Sequence, residues 1–382
     1  MLNIATVFSG IGSIEYALKR LNIPHNIVFA CDNGDIELDD INEDEIRLQV
    51  RFENDPLLKK KIVDNLFNKK KRNNFVKQSY FANYDITEEQ WHNDVRFIDG
   101  SVYKDKVDLF VGGSPCQSFS IMGYQKGLED TRGTLFYDFA RLVDEIQPKV
   151  FIYENVQGLT KHDGGNTWNV MRGVFDNLGY DIHAQILDAV DYGIPQKRRR
   201  IFVVGFKEEQ TNFTFPETVE LTYKMQNFLE DFVSFGSFKS INSKLVIENN
   251  PGKVEEKYIL SDKVRDHVMS PGTKNYYTKP EIDLEIARPL LSTMHKMHRA
   301  GVDNYITVNK EENKIRKLTP RECLRLMGYD DEFKIEVSNT QAYRQAGNSI
   351  VVDVFIHLLN SINESTGILK NEVANEENLI YN

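Results

Sequence analysis

Short apolar runs alternate with amphipathic stretches from the start of the chain. Ile4–Phe8 reads as a strand, then a glycine turn, then a helix from Ser13 to about Leu21. Asn26–Cys31, Val107–Val111, Val150–Glu154, Ala184–Leu187 and Ile201–Gly205 are further strand-length runs. Thr134–Ile146 and Thr167–Leu178 carry the apolar spacing of helices buried on one face. Strands alternating with helices predict an α/β protein with a doubly wound, mostly parallel sheet. Ligands of such sheets bind at the carboxyl ends of the strands, and Asp32, Cys116 and Glu154 each fall at or just beyond a predicted strand end.

After Gly205 the texture changes. Residues 207–315 are rich in Lys, Asn, Phe and Tyr with weak periodicity, which predicts short strands and loops in a second domain. Helical spacing resumes at Thr319, an N-cap ahead of Pro320, with Glu322 three residues on as in a capping box. A last helix is expected from Asn348 toward Ile362, and the polar, acidic tail 363–382 is expected to fray. The domain division expected is 1–206 completed by 335–382, with 207–334 as the smaller domain. Residues 36–80 form a long charged insertion.

Composition narrows the class. The chain has 382 residues, 41% of them hydrophobic, which supplies a sizeable core. No stretch of 18 consecutive apolar residues occurs, so no membrane span is expected. The N-terminus reads as a first strand and helix rather than a secretion signal. Cys31, Cys116 and Cys323 suit neither a disulfide framework nor a metal cluster, so no metal and a reducing, cytoplasmic setting are expected. The net charge of −10 argues against nucleic acid if taken alone. The charge is segregated, however: acids crowd residues 32–45, eight Lys and Arg crowd 59–77, and Lys197-Arg198-Arg199-Arg200 makes a third patch. The basic stretch 59–77 is either a solvated helix face or a phosphate contact.

Five motifs carry candidate chemistry. Phe8-Ser9-Gly10-Ile11-Gly12-Ser13 puts a glycine turn between strand and helix, with Asp32 ending the next strand where a ribose-binding carboxylate is expected. A third glycine of the dinucleotide fingerprint is missing, and a purely structural turn remains open. Gly112-Gly113-Ser114-Pro115-Cys116-Gln117-Ser118-Phe119-Ser120 places a cysteine in a strand-terminal loop, as a nucleophile or as an inert buried thiol. Phe151-Ile152-Tyr153-Glu154-Asn155-Val156 delivers a carboxylate that either gives a proton or caps a helix. In Gln196-Lys197-Arg198-Arg199-Arg200, Arg198 and Arg200 share one face of an extended segment and Arg199 takes the other. Arg344-Gln345-Ala346-Gly347-Asn348-Ser349-Ile350 reads as a glycine turn opening the last helix.

In this order, FSGIGS, GGSPCQSFS, YENVQGL, DYGIPQKRRRIFVVGF, RKLTPRECLRLMGY and QAGNSIVVDV resemble the DNA cytosine-5 methyltransferases, especially the small bacterial enzymes of restriction–modification systems. The resemblance covers nearly the whole chain except 36–80, most of 207–287 and the tail. It implies a Rossmann-like, S-adenosylmethionine-dependent methyltransferase whose smaller domain, 207–334, recognises the target. Cys116 would be the nucleophile, with Glu154, Arg198 and Arg200 around the base. S-adenosyl-L-methionine would lie against Phe8, Gly10 and Gly12, with Asp32 on the ribose and Asp99 near the adenine amine. Pro115, Leu135, Asn348 and Ser349 would complete the pocket. Gln117, Ser120 and Met122 would touch double-stranded DNA from a closing loop. Asp32 stands where the family more often has Glu, and Leu290 of the RPLLSTM block stands where Thr is usual. A monomer is implied, with a cognate restriction endonuclease acting on the same site without direct contact. A tRNA cytosine-5 methyltransferase, a catalytically inactive DNA-binding homologue and a nicotinamide oxidoreductase are the competing readings. The full-sized segment 207–315 favours DNA over tRNA, the intact Cys116, Glu154 and arginines argue against an inactive homologue, and the missing third glycine argues against nicotinamide.

Overall fold

The computed structural model describes residues 1–39, 41–115, 135–208, 211–273 and 276–369. Its first part runs β1 (Leu2–Val7), α1 (Ser13–Arg20), β2 (His25–Cys31), α2 (Glu43–Phe52), α3 (Pro56–Lys69), α4 (Phe75–Asn83), β3 (Trp91–His92), β4 (Leu109–Gly112), α5 (Leu135–Ile146), β5 (Val150–Val156), α6 (Asn166–Asp176), β6 (Asp181–Asp188) and β7 (Arg199–Phe206). These strands form one seven-stranded sheet in the order β3-β2-β1-β4-β5-β7-β6. Only β7 runs against its neighbours, so the sheet is mostly parallel as expected.

The central strands are apolar on both faces because both faces are covered. Ile4, Leu109, Val111 and Ile152 point into a core shared with α1 and the C-terminal helix. Ala5, Val7, Phe110, Phe151 and Tyr153 point the other way, into a core shared with α5 and α6. The chain leaves β1 toward β2 on one side and reaches β4 on the other. The carboxyl ends of β1 and β4 therefore flank the switch point, where an open cleft is forced.

Several boundaries differ from expectation. The charged insertion is helical and has its own apolar core: α2 and α3 bury Ile46, Val50, Val63 and Phe67 against Phe97. The two-residue β3 went unpredicted, being too short to show alternation. Residues 207–317 hold the small antiparallel pair β8 (Phe238–Ile241) with β9 (Lys244–Ile247), then α7 (Asp262–Val268), then the pairs β10 (Gly272–Thr273) with β11 (Tyr276–Tyr277) and β12 (Tyr305–Asn309) with β13 (Lys314–Lys317). α8 (Pro320–Arg325) starts at Thr319 with the reciprocal capping box, Glu322 N–H giving to Thr319 Oγ1 at 3.2 Å and Thr319 N–H to Glu322 Oε2 at 2.8 Å. The segment after α8 packs on α1, where Ser13 Oγ and Tyr329 OH share a 3.0 Å hydrogen bond and Arg20 Nη1 gives to Gly328 O at 2.8 Å. The expected last helix is α10 (Val352–Thr366), which starts four residues later than Asn348, and an unforeseen helix, α9 (Asn339–Asn348), precedes it. Gly347 closes α9 rather than opening a helix, because a Cβ there would fall on the backbone of Leu291 and Ser292.

Candidate active site

The turn after β1 is built in the left-handed region, with φ of 54° at Phe8, 54° at Gly10 and 77° at Gly12. Ser9 ties it to β2: Ser9 N–H gives to Cys31 O at 3.0 Å, and Cys31 N–H to Ser9 Oγ at 3.0 Å. Asp32 then gathers two backbone amides, accepting from Gly10 N–H at 3.0 Å and Gly34 N–H at 2.8 Å. Burial raises the Asp32 pKa above the usual carboxyl value, and the two amides oppose that shift. A Cβ on Gly10 would find only Phe8 O, at 4.0 Å, so this glycine faces open space. Gly12 does not. The Tyr84 ring occupies the place of its Cβ, and Tyr84 OH gives to Ile11 O at 2.9 Å and to Gly12 O at 2.6 Å. Gly12 seats a tyrosine and starts α1, which corrects its expected place in the cofactor pocket.

The ends of β4 and β5 form the opposite wall. Ser114 Oγ and Tyr153 OH lie 2.7 Å apart, and Asn155 Nδ2 gives to Ser114 O at 3.0 Å and to Tyr153 OH at 2.8 Å. Asn155 thus pins the loop two residues before Cys116. Glu154 is buried beside it, with Arg200 Nε 2.9 Å from its Oε1. Gly113 must be glycine, since a Cβ would lie 2.9 Å from both Glu154 O and Glu154 Oε2. Burial raises the Glu154 pKa, and the charges of Arg200 and Arg198 only partly restrain it.

The two arginines do different things. Arg198 is buried, giving from Nη1 to Leu290 O at 2.9 Å and from Nη2 to Gly347 O and Ser349 O, each at 2.8 Å. Its pKa is lowered to about 9, first by burial and then by Arg200. Arg199 turns to the other face, as expected, and pairs with Asp188 at 2.9 Å. Arg198 is therefore a clamp joining three segments, whereas Arg200 holds the Glu154 carboxylate.

A third wall comes from the stretch after β3. Asp94 is buried there and takes a forked ion pair from Arg96, with Nη2 2.7 Å from Oδ2. Asp99 lies elsewhere: it caps the turn at Ser101 and pairs with Lys59, outside the cleft. This corrects Asp99 as the adenine-side carboxylate. Asp94, missed in the sequence, lines the cleft where Asp99 does not.

These walls enclose a cleft of about 850 Å³. Phe8, Gly10, Asp32, Pro115, Leu135, Glu154, Arg198, Arg200 and Asn348 all line it. Ser349 does not; its hydroxyl is buried against Ser13 Oγ at 2.9 Å and Tyr329 OH at 3.0 Å, bracing the last turn. Cys116, Gln117, Ser120 and Met122 lie outside the described residues. The volume admits a ligand of nucleoside size, and the lining suits a cationic one: backbone at Gly10 and carboxylates that include Asp32 and Asp94. Of the basic stretch 59–77, Lys59, Lys60, Lys70 and Lys77 are spent on Asp99, Asp64, Asp39 and Glu88.

Solved structures share this fold. The S. pombe Dnmt2 methyltransferase superposes with a TM-score of 0.65 at 19% identity, covering 95% of this chain and 99% of that one. The Entamoeba histolytica methyltransferase EhMeth gives 0.63 at 17% identity, covering 97% and 99%. The fold and cleft define the class: a Rossmann-like methyltransferase dependent on S-adenosyl-L-methionine. A profile of the C-5 cytosine-specific DNA methylase family matches residues 58–364. The chain belongs to that family. It is 38% identical over 260 residues to the Type II methyltransferase M.HhaI of Haemophilus parahaemolyticus, covering 68% of this chain and 76% of the relative. To M.NgoBI of Neisseria gonorrhoeae it is 35% identical over 283 residues, covering 73% and 80%. Its activity is that of a DNA cytosine-5 methyltransferase. Among the described residues no helix is long and apolar enough to cross a membrane.

Proposed function

We propose that the enzyme methylates carbon 5 of a cytosine flipped out of a specific duplex sequence, through a covalent bond between Cys116 Sγ and carbon 6. The observation that carries this is the buried Glu154, held by Arg200 at 2.9 Å beside the Ser114–Pro115 loop that leads into Cys116. Carbon 5 of cytosine is a poor nucleophile. Addition of the Cys116 thiolate to carbon 6 moves electron density onto carbon 5 and toward ring nitrogen 3. The raised pKa of Glu154 keeps a proton available to hydrogen-bond that nitrogen, where negative charge grows. S-adenosyl-L-methionine, when bound, would supply an electrophilic methyl group to carbon 5, its sulfur leaving as the neutral thioether of S-adenosylhomocysteine. Water then takes the carbon-5 proton, the sulfur–carbon bond breaks, and Cys116 leaves as thiolate.

In this reading Asp32 holds the ribose, Asp94 takes the adenine-side place first expected of Asp99, and Phe8, Gly10, Pro115, Leu135 and Asn348 line the pocket. Gln117, Ser120 and Met122 contact DNA. Flipping costs a few kcal/mol. Residues 207–334 form the target-recognition domain, joined to a catalytic domain of 1–206 and 335–382. The Type II methyltransferases among its relatives support a modification role in a restriction–modification system, with the enzyme acting as a cytoplasmic monomer and a cognate endonuclease cutting the same site.

Duplex DNA carrying 5-fluorocytosine at the target tests the mechanism. Fluorine does not leave as a cation, so the methylated adduct should accumulate on Cys116, require S-adenosylmethionine, and vanish in Cys116→Ala. Adducts mapped to Cys31 or Cys323 would overturn it.

A further inference from the structure

The segment between β2 and β3 does more than connect them. Leu38 lines the cleft and is buried, Glu43 lines it from the first turn of α2, and Val95 and Arg96 line it from the turn after β3. An ionic ladder fastens these parts together. Arg96 grips Asp94 and reaches Glu43 Oε2 with Nη1 at 3.0 Å. Arg47 gives from Nε to Glu43 Oε1 at 3.0 Å and from Nη2 to Asp138 Oδ1, also at 3.0 Å. Phe97 sits beneath both arginines, 5.2 Å from Arg96 and 6.0 Å from Arg47, and anchors the apolar face of the α2–α3 hairpin.

The position of this wall is informative. The ribose-binding carboxylate of a doubly wound sheet ends the second strand, so a nucleoside base lies on the side of the strand beyond it. Here that side is β3, and the stretch that covers it is the hairpin fastened by Glu43 and Arg96. Leu38 and Val95 offer an apolar surface to a flat ring, and the ladder holds Leu38 in place.

We propose that the α2–α3 hairpin is the adenosine-side wall of the methyl-donor site, with Glu43 and Arg96 as positioning residues that hold Leu38 against the base. This rests on the assignment of Asp32 to the ribose. The hairpin would set donor affinity and leave cytosine chemistry to the other wall.

The test measures binding of S-adenosylhomocysteine and of methylthioadenosine, which lacks the amino-acid portion, to the full-length protein by calorimetry. Glu43→Gln, Arg96→Met and Leu38→Ala should each weaken both ligands by about the same five- to tenfold. The KM for S-adenosylmethionine should rise by a similar factor, with kcat falling less than twofold. Arg96→Lys, which keeps a cation beside both Asp94 and Glu43, should recover most of the affinity lost in Arg96→Met, which a merely folded hairpin would not require. Circular dichroism and melting curves identify any variant that has lost its fold, and Leu38→Ala leaves the ladder intact as a second probe. Unchanged affinity in all three single variants, or loss confined to S-adenosylhomocysteine, overturns the proposal. Asp32→Ala separates the two readings: if it weakens both ligands while the hairpin variants do not, only the hairpin is excluded. If Asp32→Ala is also silent, the ribose assignment fails with it.

Discussion

Arg198 and Arg200 look equivalent in the sequence, and the structure predicts that they fail differently. Arg198→Lys keeps the charge and removes the fork. The native guanidinium reaches Leu290 O at 2.9 Å and both Gly347 O and Ser349 O at 2.8 Å. A lysine ammonium reaches about one of these carbonyls, so two lose a charged donor at roughly 1.5–3 kcal/mol each. Partial rehydration of the freed carbonyls offsets some of that, leaving a loss of about 2–4 kcal/mol. Unfolding entropy scales at roughly 2.1 cal/mol/K per residue, so in a chain of 382 residues this lowers Tm by about 3–5 °C. Arg200 is partly exposed and holds a single carboxylate, so Arg200→Lys should change stability by less than about 1 kcal/mol. Its cost falls on kcat instead, by at least about tenfold, because Glu154 loses its fixed orientation. Calorimetric melts and single-turnover methylation separate the two. If Arg198→Lys melts like the parent while its single-turnover rate collapses, Arg198 acts on the base and the clamp is the wrong account.

Three further outcomes follow from named contacts. The raised pKa of Glu154 means that its proton is held above the usual carboxyl range, so the single-turnover rate should fall as pH climbs through that pKa. The stability linked to that proton is fully present below the ordinary carboxyl pKa and lost over the same climb. Glu154→Gln should remove both pH limbs while slowing the reaction by about 10²–10³, and a persisting limb would assign it to another group. Gly347→Ala drives a methyl group into the backbone of Leu291 and Ser292 and should cost about 1–3 kcal/mol or more by denaturant unfolding, with an unchanged midpoint counting against that packing. Lys61, Lys69, Lys71 and Arg72 have no ion-pair partner among the described residues. If they meet DNA phosphates, neutralising all of them should flatten the salt dependence of binding by up to about 0.9 per contact, and an unchanged slope returns them to solvent.

What could be read in advance was what repeats or what ends a strand. Strands buried on both faces are unbroken apolar runs, so Val150–Glu154 and Ile201–Gly205 stood out and the observed β5 and β7 contain them. Glu154 could be found because it terminates such a run. Asp94 could not, since β3 pairs only Trp91 and His92 with Ala30 and Cys31, and two residues carry no period. Without that strand the acid after it has no frame in the sequence, and Phe97-Ile98-Asp99-Gly100 offers Asp99 instead. The glycines of the first turn were indistinguishable for a related reason. Whether a glycine faces a ligand or a tyrosine ring depends on a partner far along the chain, here Tyr84 against Gly12.

The break between α9 and α10 follows the same logic and bears on chemistry. Gly347, Asn348 and Ser349 are poor helix formers, although residues 351–355 that follow are mostly apolar. At the end of α9, Arg198 donates to Gly347 O and Ser349 O. The Ser349 hydroxyl is then drawn to Ser13 and Tyr329. Asn348, at the end of α9, lines the cleft together with Glu154, Arg198 and Arg200. A side chain can carry a motif's signature and still act through backbone: Arg198 ties the end of α9 to the segment at Leu290, while Arg200, two residues on, holds the Glu154 carboxylate.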